Sequence, residues 1–61
     1  MTGKEFKEIR EKMRLSREEM GKMLGKHSLT IYHYERMMKV PTTIEKLIVL
    51  LAKERKISLT R

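Results

Sequence analysis

Residues 17–36, Arg17 to Arg36, read REEMGKMLGKHSLTIYHYER. The stretch divides at Gly25. Before it, Met20 and Leu24 stand one helical turn apart, and Ser16 with Glu19 has the spacing of a capping box. A helix over about Arg17 to Leu24 follows. Gly25 then stops it, because the residue after a helix often turns left-handed and glycine does so without steric penalty. A second helix is expected over about Ser28 to Met37, with Ser28 as its N-cap. At 100° per residue its inner face is Ile31, Tyr34, Glu35 and Met38. Leu29, Tyr32, His33 and Arg36 fall on the opposite side, with Ser28 and Thr30 flanking. Gly21 sits one turn before Gly25. Either its missing side chain lets the next helix cross closely, or it is a tolerated glycine on an exposed face costing about 1 kcal/mol. The tight turn favours contact.

Outward from this pair, two further capping boxes mark helix starts. Thr2 with Glu5 opens a helix running to about Met13, whose apolar stripe is Phe6, Ile9 and Met13. Arg10 lies on that same stripe, and Leu15 tucks the connection into the core. Thr42 with Glu45, just after Pro41, opens a last helix over about Thr43 to Lys53. Its expected inner face is Ile44, Leu47, Ile48 and Leu51, which leaves Val49 and Leu50 on the other side. Ile57 and Leu59 follow in a short basic tail, residues 53–61. An apolar surface of this kind usually marks an interface, so Val49, Leu50 and Ile57 are expected to meet a second copy of the chain. Alternatively the tail folds back over Val49 and Leu50. The expected fold is all-α: a compact bundle of four to five short helices in one domain over residues 1–61.

Fifteen Lys and Arg against eight Asp and Glu leave a net charge of +7. Such an excess on 61 residues calls for a polyanion: DNA, RNA or an anionic membrane. The longest apolar run, Leu47 to Ala52, is far too short to span a bilayer. No signal peptide and no lipid-seeking amphipathic helix is evident. There is no Cys, so neither a disulfide nor a thiolate metal site is available, and a cytoplasmic location is expected. His27 and His33 lack a third ligand at helical spacing, which argues against zinc. Tyr32, His33 and Tyr34 split across opposite helix faces and cannot converge as a catalytic cluster. No enzyme, cofactor or small-molecule effector is expected. What remains is two short helices around a tight turn on a basic chain, suited to laying the second helix into the DNA major groove.

With these residues in place, the chain resembles the Cro and lambda-repressor-like helix-turn-helix family, also called XRE. The resemblance covers roughly Phe6 to Ala52 and rests on Leu15, Ser16, Arg17, Glu18, Glu19, Met20, Gly21, Leu24, Gly25, Ile31, Tyr34 and Glu35. Pro41 before the last helix also fits. There are departures. Arg17 replaces the family's usual phosphate-contacting Gln, Gly21 its Ala, and Met37 to Val40 the common Asn-Gly turn. Ile44 and Leu47 stand one residue later after the proline than is common.

The resemblance implies a partly buried ion pair between Arg10 and Glu35, each of which would be costly to bury alone. It also implies base contacts from Ser28, Leu29, Tyr32 and His33, and phosphate contacts from Arg17, Lys26, Thr30, Arg36 and Lys39. Neither Ser28 nor Leu29 is a bidentate base reader, and Leu29 suits a thymine methyl. The implied function is a double-stranded DNA-binding repressor, homodimeric on a palindromic operator and controlled by its own concentration. Members this small look like regulators of phages and mobile elements, including anti-CRISPR-associated autorepressors. The rival reading is an antitoxin-like module whose last helix and tail, Lys53 to Arg61, mask a toxin, with DNA binding secondary. An RNA binder fits less well, since among the aromatic residues only Tyr32 is expected to face outward.

Overall fold

The computed structural model describes residues 1–56 as four helices: α1 (Gly3–Lys12), α2 (Arg17–Leu24), α3 (Ser28–Arg36) and α4 (Thr42–Glu54). Helix spans follow the capping chemistry at the first two starts. The Glu5 N–H donates to Thr2 Oγ1 at 3.1 Å and the Thr2 N–H donates to Glu5 Oε1 at 2.8 Å. Ser16 and Glu19 repeat this at α2, at 3.1 and 2.9 Å. That exchange holds the Glu19 carboxyl below its ordinary value of 4.5, mainly through the Ser16 backbone N–H and then the Ser16 hydroxyl. α2 stops at Gly25, whose φ of 70° is left-handed.

The other two starts differ from expectation. His27, not Ser28, caps α3: its Nδ1 accepts the Leu29 N–H at 3.0 Å, and Ser28 is already helical. The imidazole does what an Asn side chain does at an N-cap. At α4 the Thr42–Glu45 box does not form. Pro41 takes the cap position with no side-chain bond. Glu45 instead receives the α-ammonium of Met1 at 2.7 Å.

Among the described residues, eleven apolar ones form the core, drawn from all four helices and the connections between them: Phe6, Ile9, Met13, Met20, Leu24, Ile31, Tyr34, Val40, Ile44, Ile48 and Ala52. The rings of Phe6 and Tyr34 meet edge to face, 5.9 Å apart. Met38 was expected inward and is 93% exposed. The reason is that α3 ends at Arg36 and Met37 is extended, so the helical projection no longer applies. Val40 fills the core place, fully buried. In α4 the buried face is Ile44, Ile48 and Ala52. Leu47 was expected to join it and is 43% exposed, because the face turns toward Ala52. α4 runs one residue past the expected Lys53, so Glu54, assigned to the tail from sequence, is helical. Ile57 lies outside the described residues.

Two close approaches position α3. A Cβ on Gly21 would stand 2.4 Å from the Lys26 carbonyl, so contact was the correct alternative there, with the turn backbone. The Lys26 N–H in turn donates to the Gly21 carbonyl at 2.7 Å. Gly3 is buried against the end of α3, where a Cβ would lie 2.5 Å from the Tyr34 carbonyl and 2.6 Å from those of Glu35 and Met37. A short antiparallel seam results. The Gly3 N–H donates to the Met37 carbonyl at 2.8 Å, and the Val40 N–H to the Met1 carbonyl at 2.9 Å.

Candidate nucleic-acid interface

The orientation of α3 is set by one carboxylate. Glu35 has a side chain only 3% exposed and receives two guanidinium groups. Arg10 Nε of α1 donates to its Oε2 at 2.6 Å, and Arg17 Nε of α2 to its Oε1 at 3.0 Å. Arg10 also donates through Nη1 to the Leu15 carbonyl at 2.7 Å, which ties the α1–α2 corner to the same cluster. Two cations on one anion leave the cluster net positive. The expected Arg10–Glu35 pair is therefore present, but it is a triad. The sequence pattern did not show that Arg17, placed among phosphate contacts, shares this carboxylate.

An open groove of about 740 Å³ lies between the start of α2 and the first turns of α3. Arg10, Ser16, Arg17, Glu18, His27, Ser28, Leu29 and Tyr32 line it. Of the residues expected to face DNA, it gathers Arg17, Ser28, Leu29 and Tyr32. Leu29 is 57% exposed, a large apolar side chain left in the open at the helix start. His33 is exposed beside it on α3, its ring 5.8 Å from that of Tyr32. Thr30 is half-buried, while Lys26 in the α2–α3 turn and Lys39 in the α3–α4 connection are exposed.

Tyr32 joins two of the basic residues. The Arg17 guanidinium carbon sits 5.1 Å from its ring centre and that of Arg36 5.6 Å, both within cation–π range. Arg36 Nη1 also donates to the Tyr32 hydroxyl at 2.8 Å. The signal for this was present in the sequence, since residues four apart on a helix are neighbours.

On α4, Glu45, Lys46, Val49 and Leu50 line a second groove of about 430 Å³. Leu50 is 58% exposed and, with Leu47, gives α4 an open apolar side. Val49 is half-buried and packs partly against the core. Among the described residues, no helix is long and apolar enough to cross a membrane, and no group of three His, Cys, Asp or Glu is placed to hold a metal.

A family model described as Helix-turn-helix matches residues 6–59. No curated protein and no solved structure matched the chain. The protein belongs to the Cro and lambda-repressor-like helix-turn-helix family, a DNA-binding and non-enzymatic one.

Proposed function

From that membership we propose a transcriptional repressor that lays α3 into the major groove of a specific duplex sequence. The observation that carries the reading is the way α3 is held. Glu35 pins its inner side to both preceding helices through Arg10 and Arg17. Its outer side presents Ser28, Leu29, Tyr32 and His33 outside the core. These four are assigned to base edges. Arg17, Lys26, Thr30 and Lys39 are assigned to phosphates, and Arg36 stands with Tyr32 at the boundary between the groups. Arg17 keeps its terminal nitrogens for a phosphate while its Nε serves Glu35.

The finer form of the reading is a Cro-type homodimer on an inverted repeat, the kind of autorepressor carried by phages and mobile elements. Its support is the open side of α4, where Leu47 and Leu50 are exposed and the Val49 groove adjoins them. Two copies meeting there bury apolar surface that a monomer leaves in water. Sedimentation should show a dimer that Leu50→Asp converts to a folded monomer. A monomer at all concentrations removes the homodimer.

Selection of bound sites from random duplex DNA at about 150 mM salt tests the function. The expected result is an enriched inverted repeat with half-sites roughly 34 Å apart. Binding without enrichment that vanishes as salt rises would reduce the surface to non-specific charge and end the proposal.

A further inference from the structure

We propose that Tyr32 and Arg36 act as one composite donor pair that reads guanine in the major groove. The inference rests on the DNA reading above and gives Arg36 a role in it.

Neither Ser28 nor Leu29 offers the paired donors that base reading usually employs. Tyr32 and Arg36 supply them together. Arg36 Nη1 donates to the Tyr32 hydroxyl oxygen at 2.8 Å. That bond occupies an acceptor lone pair of the hydroxyl and leaves its O–H proton free. Two guanidinium groups flank the ring, at 5.1 and 5.6 Å, so the surrounding potential is positive. A second donor approaching this oxygen is repelled, and an acceptor is drawn in. Tyr32 is thereby committed to donating. Arg36 keeps further N–H groups beside it, since only one is spent on the hydroxyl.

The pair therefore presents two adjacent donors. Guanine offers O6 and N7 as two adjacent acceptors on its major-groove edge. Adenine puts an N6 donor where guanine has O6, and cytosine presents an N4 donor. Either would set donor against donor. The place on the helix agrees with a base rather than a phosphate. Tyr32 lines the same groove as Ser28 and Leu29, and the hydrogen bond holds the exposed Arg36 side chain toward that groove. The stack also limits rotamer loss on binding. Arg17 is itself fixed by Glu35, so Tyr32 has a rigid neighbour on that side.

The test uses the full chain and the operator selected from random duplexes. A guanine should be enriched at one position of each half-site. Replacing that base with 7-deazaguanine, which lacks the N7 acceptor, should weaken wild-type binding roughly five- to tenfold. Tyr32→Phe keeps the ring beside Arg17 and removes both the hydroxyl donor and the bond that holds Arg36 in place. It should lower the guanine preference by a similar factor and become indifferent to 7-deazaguanine. Arg36→Lys keeps the charge, so the salt dependence should stay while the preference falls. An equal loss on every sequence with Tyr32→Phe would place the pair on a phosphate and overturn the inference, as would no loss at all. A motif without a guanine that depends on Tyr32 sinks this inference alone. No motif of any kind sinks the repressor reading with it.

Discussion

The α2–α3 pair and α4 bury apolar stripes against the same core, yet they are finished to different degrees. α2 begins with a reciprocal capping box and ends on a left-handed glycine. α3 is capped by His27 and anchored at its far end by Glu35, which bonds to side chains of both α1 and α2. α4 begins on Pro41 with no side-chain cap, sends Glu45 elsewhere and leaves Leu47 and Leu50 open. The α2–α3 half, proposed to recognise DNA, is over-determined by polar contacts. The other half is held mainly by Ile44, Ile48 and Ala52, and Leu47 and Leu50 stay exposed on its outer side.

Breaking the anchor should have the largest effect. Glu35→Ala leaves the Arg10 guanidinium, with a side chain only 11% exposed, without its carboxylate. The expected loss is about 3–5 kcal/mol in urea unfolding. Arg10→Met with Glu35→Leu together should lose much less, because no buried charge is then stranded and Arg17, 41% exposed, keeps its contact with water. If the double variant is as damaged as the single, the triad is not what holds α3.

Gly21→Ala attacks the turn. A methyl group 2.4 Å from the Lys26 carbonyl forces the backbone apart, at about 1–3 kcal/mol. In thermal melts the variant should fall well below wild type. An unchanged midpoint would mean the turn yields freely.

The caps sharpen the contrast. Ser16→Ala should cost about 1 kcal/mol, since the hydroxyl accepts the Glu19 N–H. Thr42→Ala should cost no more than a few tenths, since α4 has no side-chain cap to lose. Equal losses in chemical unfolding would erase the distinction between the two helix starts.

The smallest effect is electrostatic. Glu19 has its folded pKa lowered, so its charge stabilises the fold above 4.5 and that contribution fades as pH falls through the lower folded value. Glu19→Gln preserves the hydrogen-bonding shape of the box. Its melting midpoint should lie slightly below wild type at neutral pH and converge with it in acid. A gap constant with pH would assign the stabilisation to hydrogen bonding without charge.

Much of this was legible in the sequence, and the limits have physical causes. The α2 span came out residue for residue, because a capping box and a glycine stop are local signals. The Arg10–Glu35 contact was implied by the family resemblance, and the place of both charges on apolar stripes agrees with it. Thr42 and Glu45 have the spacing of a box, but a distant ammonium competes for the glutamate, and no local pattern records that. Met38 was projected from a helix that had already ended. His27 was weighed as a metal ligand and not as a cap, because imidazole is an uncommon N-cap. The sharing of Glu35 by Arg17 and the contact of Arg17 with the Tyr32 ring depend on how α2 lies across α3. The proposed base and phosphate contacts draw on these side-chain placements, which periodicity alone leaves open.

The seam between Met1–Gly3 and Met37–Val40 bears on the order of events during folding. Its two hydrogen bonds join the first residues to the α3–α4 connection, and Val40 brings a fully buried side chain to the core. A chain whose α1, α2 and α3 have formed before Val40 docks holds every residue assigned to base edges without the closure that steadies it. Closing a loop of this length carries an entropic cost that only late contacts offset. The proposed recognition helix should therefore gain full amide protection only once Val40 has docked, so that order in the half proposed to read DNA waits on the connection to the other half.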